Sequence, residues 1–249
     1  MESDLIAVRN LEFSYPVGGF RLRVPEFRVA PGESVALVGP SGCGKTTLIN
    51  LLAGIEEAGA GVIEVAGLDV ARLSSEDRQD LRILKLGLVF QDFELLEYLE
   101  VLDNVVLPYR LSPLLELEER VRGRGRALLA ELGLDDKLGR FPAQLSQGER
   151  QRVALCRALV TRPAVVLGDE PTGNLDPANR DHVIDALLSY GREEEAAVVV
   201  VTHDHELLPR FDRAIEVAEL VATHGPNGKP EKPQITQMNA DKGGNDAGC

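Results

Sequence analysis

The run "GPSGCGKT" (Gly39 to Thr46) follows the apolar "SVALV" and precedes the apolar-periodic "KTTLINLLAG". The spacing G-x-x-x-x-G-K-[ST] between a strand and a helix is the pattern of a phosphate-binding loop. Gly39, Gly42 and Gly44 let backbone N–H groups wrap a chain of phosphates at a helix N-terminus, where unpaired amides favour anions. Lys45 would neutralise the β- and γ-phosphates, and the Thr46 hydroxyl would ligate Mg²⁺. Pro40, Ser41, Cys43 and Thr47 complete the stretch expected to touch the nucleotide. Cys43 also has the plainer reading of a small filler.

"AVVLGDE" (Ala164 to Glu170) supplies a second half to such a site. Asp169, at the end of a buried strand, is placed to hold Mg²⁺ through its water shell. Glu170 has no apolar reason to stand there and would act as the general base that polarises an attacking water. Gln91, after "LGLVF", could reach the metal or that water, and His203, after "VVVVT", could hydrogen-bond the γ-phosphate. Asp176 and Pro177 in "NLDPANRD" make a good N-cap and first helical residue, so a purely structural role stands beside a nucleotide-facing one. Tyr15 alternates with Leu11 and Phe13 as a core residue would. Its neighbour Pro16 marks a strand end, where a ring could instead stack on an adenine.

"LSQGERQRVALCRALV" (Leu145 to Val160) begins like an ordinary helix. Ser146 can cap the first turn, and Glu149 can reach back to the Ser146 N–H in a capping box. Gly148 does not fit that account, since a helical glycine costs about 1 kcal/mol relative to alanine. A small serine and a glycine at a helix start would form a second anion site in a chain that already has one. The expectation is that two chains share each nucleotide: Ser146 and the Gly148 N–H meet the γ-phosphate held by the other subunit, and a side chain at 148 would block that approach.

The elements that position these residues read as a largely parallel sheet with crossover helices. Core strands are expected at residues 34–39, 86–91, 164–170 and 196–203, each ending in polar residues, and ligands of such sheets sit at the carboxyl ends of the strands. The opening segment alternates like antiparallel strands. Between Asp92 and Arg162 the pattern turns helical. "EEE" (Glu193 to Glu195) reads as a solvated loop, and the chain from about Ala222 onward is poor in apolar residues and rich in Gly, Pro and Asn, the composition of a disordered tail.

The chain has 249 residues, 44% of them hydrophobic, enough for one large core or a core with a satellite subdomain. Its apolar runs fall short of the roughly 18 residues that a membrane-spanning helix needs. The acidic start "MESDLIAV" is unlike a secretory signal, so a cytoplasmic location is expected. Cys43, Cys156 and Cys249 lack the paired spacing of zinc sites or disulfide frameworks. A net charge of −13 argues against nucleic-acid binding, which needs a basic face.

Over residues 5 to 221 these motifs, in this order, resemble the ATP-binding subunit of ATP-binding cassette (ABC) transporters. The Walker A is "GPSGCGKT", the Q-loop residue Gln91, the signature "LSQGE", the Walker B "VVLGDE", the D-loop "NLD" and the switch histidine His203. Gln147 departs from the glycine usual in the signature. The resemblance implies an α/β P-loop NTPase: a RecA-like parallel-sheet core, an N-terminal antiparallel β subdomain and an inserted helical subdomain at about 93–162. The nucleotide-binding domain would span 1–222 and the polar tail 223–249.

"DEPTGNLD" and "GLVFQDFELLEYLEVLDNVVLPYRL" look like the branch of lipoprotein-releasing, macrolide-export and cell-division ATPases. That branch implies ATP and Mg²⁺, a homodimer closed through ATP, and a separate integral membrane permease that recognises the cargo. The cassette itself would lie at the inner face of the membrane without inserting. Phe93, Leu95, Leu96, Tyr98 and Leu99 would form the surface for the permease's cytoplasmic helix. The reading that competes is a soluble ABC ATPase such as an iron–sulfur cluster assembly factor, told apart by its partner.

Overall fold

The computed structural model describes residues 3–17, 20–173 and 175–220. The expected polar tail at 223–249 lies outside the described residues. Two sheets sandwich a helix. Strands β1 (Ile6–Ser14), β2 (Arg21–Val29), β4 (Ala60–Val65) and β5 (Leu68–Asp69) form an antiparallel sheet in the order β2-β1-β4-β5. Strands β3 (Ser34–Val38), β6 (Leu86–Phe90), β7 (Val165–Asp169), β8 (Ala197–Val201) and β9 (Arg213–Glu216) form a parallel sheet in the order β6-β7-β8-β3-β9. The hairpin β4–β5 turns on Ala66 and Gly67, both at positive φ, as a two-residue connection between right-twisted strands requires.

Every residue of β3 and β8 is buried, because helices cover both faces of a parallel sheet. Alternation then sorts side chains by face. Val35, Leu37, Val165, Leu167, Val199 and Val201 pack with Leu48, Ile49 and Leu52 of α1 (Lys45–Leu52) and with the antiparallel sheet. Ala36, Val166, Val198 and Val200 pack on the other side with Leu155 of α6 (Gln147–Leu159) and Val183, Ile184 and Leu187 of α7 (Pro177–Glu193).

Between β6 and β7 the chain is helical, as expected, but in shorter pieces than the pattern suggests. α2 (Ser75–Leu84) precedes β6, and α3 (Val101–Val105), α4 (Pro108–Leu111) and α5 (Glu119–Glu131) lead into α6. Residues 92–100 are not helical; the buried Asn104 side chain holds this loop by accepting from Leu96 N–H and donating to the Leu96 and Leu99 carbonyls. A third core joins Val101, Val105, Val121 and Leu129 to Val153, Cys156 and Val160. Helix α6 therefore belongs to two cores at once, one face on the sheet and the other on the inserted helices.

The pairing of β1 with β4 shifts register between Arg9 and Glu12. Asn10 has φ 48° and Gly61, opposite, has φ +95°; a Cβ on Gly61 would lie 2.4 Å from the Asn10 carbonyl oxygen. Gly61→Ala is therefore expected to destabilise by about 2–3 kcal/mol through overpacking at a position alanine rarely adopts, lowering Tm by about 4–10 °C. A thermal melt within 1 °C or so of the parent would show that the bulge relaxes freely.

Candidate functional site

Register decides where the chemistry falls. Phe90 pairs with Asp169, Asp169 with Val201, and Val201 with Leu37. Four parallel strands thus end in one row, with Gln91, Glu170 and Thr202 one step beyond it and the loop from Gly39 alongside. The strands stop one or two residues before the polar ends expected of them, which frees those side chains from the sheet.

Helix α1 starts without a side-chain cap and without an acidic residue in its first turn. Its N-cap is Gly44 in the left-handed region at φ 104°, and a Cβ there would lie 2.9 Å from Phe20 Cζ. Unpaired amides and a glycine cradle are what a phosphate chain needs. Lys45 is only 9% exposed, and its Nζ donates to the carbonyls of Gly39 at 2.7 Å and Pro40 at 2.9 Å. It makes no ion pair within 4.0 Å among the described residues, so its charge is available to an incoming anion. The Cys43 Sγ lies 4.0 Å from that Nζ, filling the loop as a small residue does.

Burial raises the Asp169 carboxyl above the ordinary carboxylate range; a hydrogen bond from the Thr46 hydroxyl opposes this, Glu170 reinforces it and Lys45 opposes it. A half-buried acid paired with a hydroxyl is a donor set that suits Mg²⁺. Glu170 leaves β7 with φ 49°, a strained conformation for a glutamate. Its Oε2 lies 3.3 Å from Nδ1 of His203, whose side chain is 65% exposed. A methyl on Gly173 would sit 3.4 Å from Gln91 Nε2 and 3.5 Å from Glu170 Oε2. The structure thus gathers Lys45, Thr46, Asp169, Glu170, His203 and Gln91 at the carboxyl ends of the strands, and adds Gly173 between Gln91 and Glu170.

The sequence matches the family described as "ABC transporter" over residues 22–173, more than half of the chain. The chain belongs to this family. It is 42% identical over 224 residues to the lipoprotein-releasing system ATP-binding protein LolD of Novosphingobium aromaticivorans, covering 88% of this chain and 98% of that protein. It is 41% identical to the uncharacterized ABC transporter ATP-binding protein YbbA of Escherichia coli, covering 86% and 94%. Among solved structures it resembles the dimeric ATP-binding cassette MJ0796 in a post-hydrolysis state bound to ADP and Pi, with TM-score 0.75, 30% identity and coverage of 85% and 93%. It also resembles cbiO1 of Clostridium perfringens, part of the transporter complex cbiONQ, with TM-score 0.76, 28% identity and coverage of 86% and 85%. The protein is an ABC ATPase, and ATP is the nucleotide its family binds.

Three further residues expected at the nucleotide also have partners within the chain. Tyr15 is half-buried, edge-on to Phe13 with centroids 4.7 Å apart and tilted on Phe20, and its hydroxyl lies 3.4 Å from Thr47 Oγ1. It bridges the antiparallel core and the start of α1. Ser146 forms the capping box as expected: its Oγ accepts from Glu149 N–H at 3.3 Å, and Glu149 Oε2 accepts from Ser146 N–H at 2.7 Å. That backbone bond is the main cause holding the Glu149 carboxyl below its usual range. Asp176 caps α7, accepting from the backbone and side-chain amides of Asn179 at 3.1 and 2.5 Å, and these bonds lower its pKa. The structural role proposed beside its nucleotide role is thus present.

Gly148 is buried, and a Cβ there would lie 2.8 Å from Asn179 Cγ of the same chain. Asn179 also accepts from Arg152 of α6. This intrachain crowding is a reason for glycine that sequence reasoning missed; nothing in the local spacing of "LSQGE" announces a residue 31 positions away. Gly148→Ala is expected to destabilise the protein by about 1–3 kcal/mol. In an Asn179→Ala background the same change should be neutral or slightly stabilising, since alanine is the better helix former. An equal loss in both backgrounds, read by chemical denaturation, would remove Asn179 as the cause.

Proposed function

We propose that this chain is the ATP-hydrolysing subunit of a membrane machine, a homodimer that drives a separate permease in lipoprotein release or a related export task. The observation that carries the reading is the row of strand ends: Lys45, Thr46, Asp169, Glu170, Gln91 and His203 meet there, while the exposed Ser146 and its helix start take no part in that cluster. A second copy would present Ser146 and Gly148 to the nucleotide held by the first. The LolD relatives and the dimeric cassettes support this reading.

In the reaction, Gly39 to Thr47 cradle the phosphates and Lys45 leaves its loop carbonyls for the β- and γ-phosphates. Thr46, Asp169 and Gln91 would hold Mg²⁺, which screens phosphate charge when bound. Glu170 takes a proton from the attacking water as its oxygen bonds to the γ-phosphorus, and the bond to the β-bridging oxygen breaks to give ADP and phosphate. His203, which lies beside Glu170 in the free chain, turns its N–H to the γ-phosphate. Tyr15 and Asp176 line the nucleotide and its dimer boundary.

The permease would dock beside Gln91, with the cassette at the cytoplasmic face of the membrane. Among the described residues no helix is long and apolar enough to cross a membrane. A groove of about 440 Å³ is lined by Ile83, Leu88, Phe90, Leu107 and Leu111, and Leu111 is exposed. Of the five residues assigned to docking from sequence, Tyr98 is 75% exposed, whereas Leu95 packs on the helical core and Phe93, Leu96 and Leu99 are half-buried. The docking face therefore draws on β6 and α4 as well as on the segment after Gln91.

Glu170→Gln should bind ATP normally and lose turnover by about 100-fold or more, the range of a general base; native turnover would exclude Glu170 from the chemistry. Ser146→Arg should retain ATP binding in the same chain and lose hydrolysis, because its bulk lies where the second copy closes. Unchanged turnover in that variant would mean the helix start faces only water. Affinity purification of tagged Glu170→Gln protein from detergent-solubilised membranes should bring down a permease, and a purely soluble partner would favour an assembly-factor role.

A further inference from the structure

Gln151 lies on α6, five residues after the cap Ser146, and is 1% exposed. Its Nε2 donates to the Pro171 carbonyl at 2.6 Å and, more distantly, to the Phe90 carbonyl at 3.5 Å. Those carbonyls belong to the residue after Glu170 and the residue before Gln91. One side-chain amide on the signature helix thus holds the two chain segments that carry the candidate base and the Q-loop residue.

Glu170 needs holding. Its left-handed φ persists only where the surroundings over-determine it, and among the described residues three hydrogen bonds bear on the backbone from Glu170 to Pro171. Glu170 N–H donates to Val201 O at 3.0 Å, Gly173 N–H donates to Glu170 O at 3.1 Å, and Gln151 supplies the third. The first two tie the turn to the sheet and to itself; the Gln151 bond ties it to α6.

Gln151 is also a poor choice for packing alone. Its Oε1 is buried and finds no donor among the described residues, and an unpaired buried acceptor opposes folding. A methionine would fill the same space without the unpaired oxygen, losing the bond to Pro171, which packing alone does not require.

We propose that Gln151 is a positioning residue that transmits the placement of the signature helix to the catalytic turn at Glu170 and to the end of β6 at Gln91. Helix α6 is continuous from Gln147 to Leu159, so Gln151 lies about 7.5 Å along it from the cap. Any shift of Ser146 and Gly148 toward a nucleotide carries the Gln151 amide with it. The α6 start thereby reports its engagement to the base that needs it. This inference rests on the reading of Glu170 as the base.

The test uses Gln151→Met and Gln151→Leu in the full chain, with Glu170→Gln in parallel. Thermal stability should stay close to the parent's, because relief of the unpaired Oε1 offsets the donor lost to Pro171. ATP affinity and KM should stay within twofold, and ATP-dependent dimerisation should persist. Only kcat should fall, by about tenfold, the size expected for one lost hydrogen bond that matters in the transition state. A kcat within twofold of the parent in both variants overturns the proposal, as does a common fall in Tm and ATP affinity, or a failure of both to fold, which would make Gln151 a core residue only. Normal turnover in Gln151→Met beside a dead Glu170→Gln contradicts the coupling alone; normal turnover in both contradicts the catalytic turn beneath it.

Discussion

The register of the parallel sheet is the constraint on which the site depends. Because Leu37, Val201, Asp169 and Phe90 stand in one row across four strands, the residues just past them fall together without further adjustment. Strands in a sheet lie about 4.8 Å apart, so the loop from Gly39, His203, Glu170 and Gln91 span roughly 14 Å, wide enough to enclose a triphosphate. A slip of one residue in any strand would turn its apolar side chains from one core to the other and withdraw the polar residue at its end from the row. The alternation of Val35, Leu37 against Ala36, and of Val199, Val201 against Val198, Val200, fixes that register through two separate cores.

Helix α6 is the second structural hinge of the account. Its apolar residues divide between the sheet core, through Leu155 and Leu159, and the inserted helices, through Val153, Cys156 and Val160. Its polar residues divide too: Ser146 and Glu149 close the first turn, Arg152 reaches Asn179, and Gln151 reaches Pro171. Burial at Cys156 pushes its thiol far up, which suits a packing residue rather than a reactive one. Helix α7 makes a comparable link on its other side, where Arg180 donates to Asp204, next to His203, at 2.6 Å. Residues proposed to face the nucleotide are therefore tied by side chains to α6 and α7, as the proposed shared site requires.

What was legible in the sequence was what is local. The phosphate loop could be read because its chemistry is written in eight consecutive residues, and the strand ends because apolar runs stop abruptly at Gln91, Asp169 and His203. The capping box at Ser146 and Glu149 needs only four residues, and it formed as read. Gly148 has a second reason that its local sequence could not show, since Asn179, which crowds it, comes from another helix. Gln151 was invisible for the same reason: a glutamine in a helix reads as solvated until the fold buries it against Pro171. The short strands β5 and β9 and the non-helical stretch 92–100 were missed because their conformations are set by pairing and by Asn104, not by periodicity.

The central claim is that two chains complete each site, the Gly39 loop of one meeting Ser146 of the other. Its most direct test is the molar mass in solution of Glu170→Gln protein with Mg²⁺, without and with ATP, and of the same protein carrying Ser146→Arg. The account predicts that ATP takes Glu170→Gln from the mass of one chain to that of two, and that the added Ser146→Arg leaves a single chain with ATP still bound. A dimer that forms equally well with arginine at 146, or a Glu170→Gln protein that stays a single chain when saturated with ATP, would contradict it.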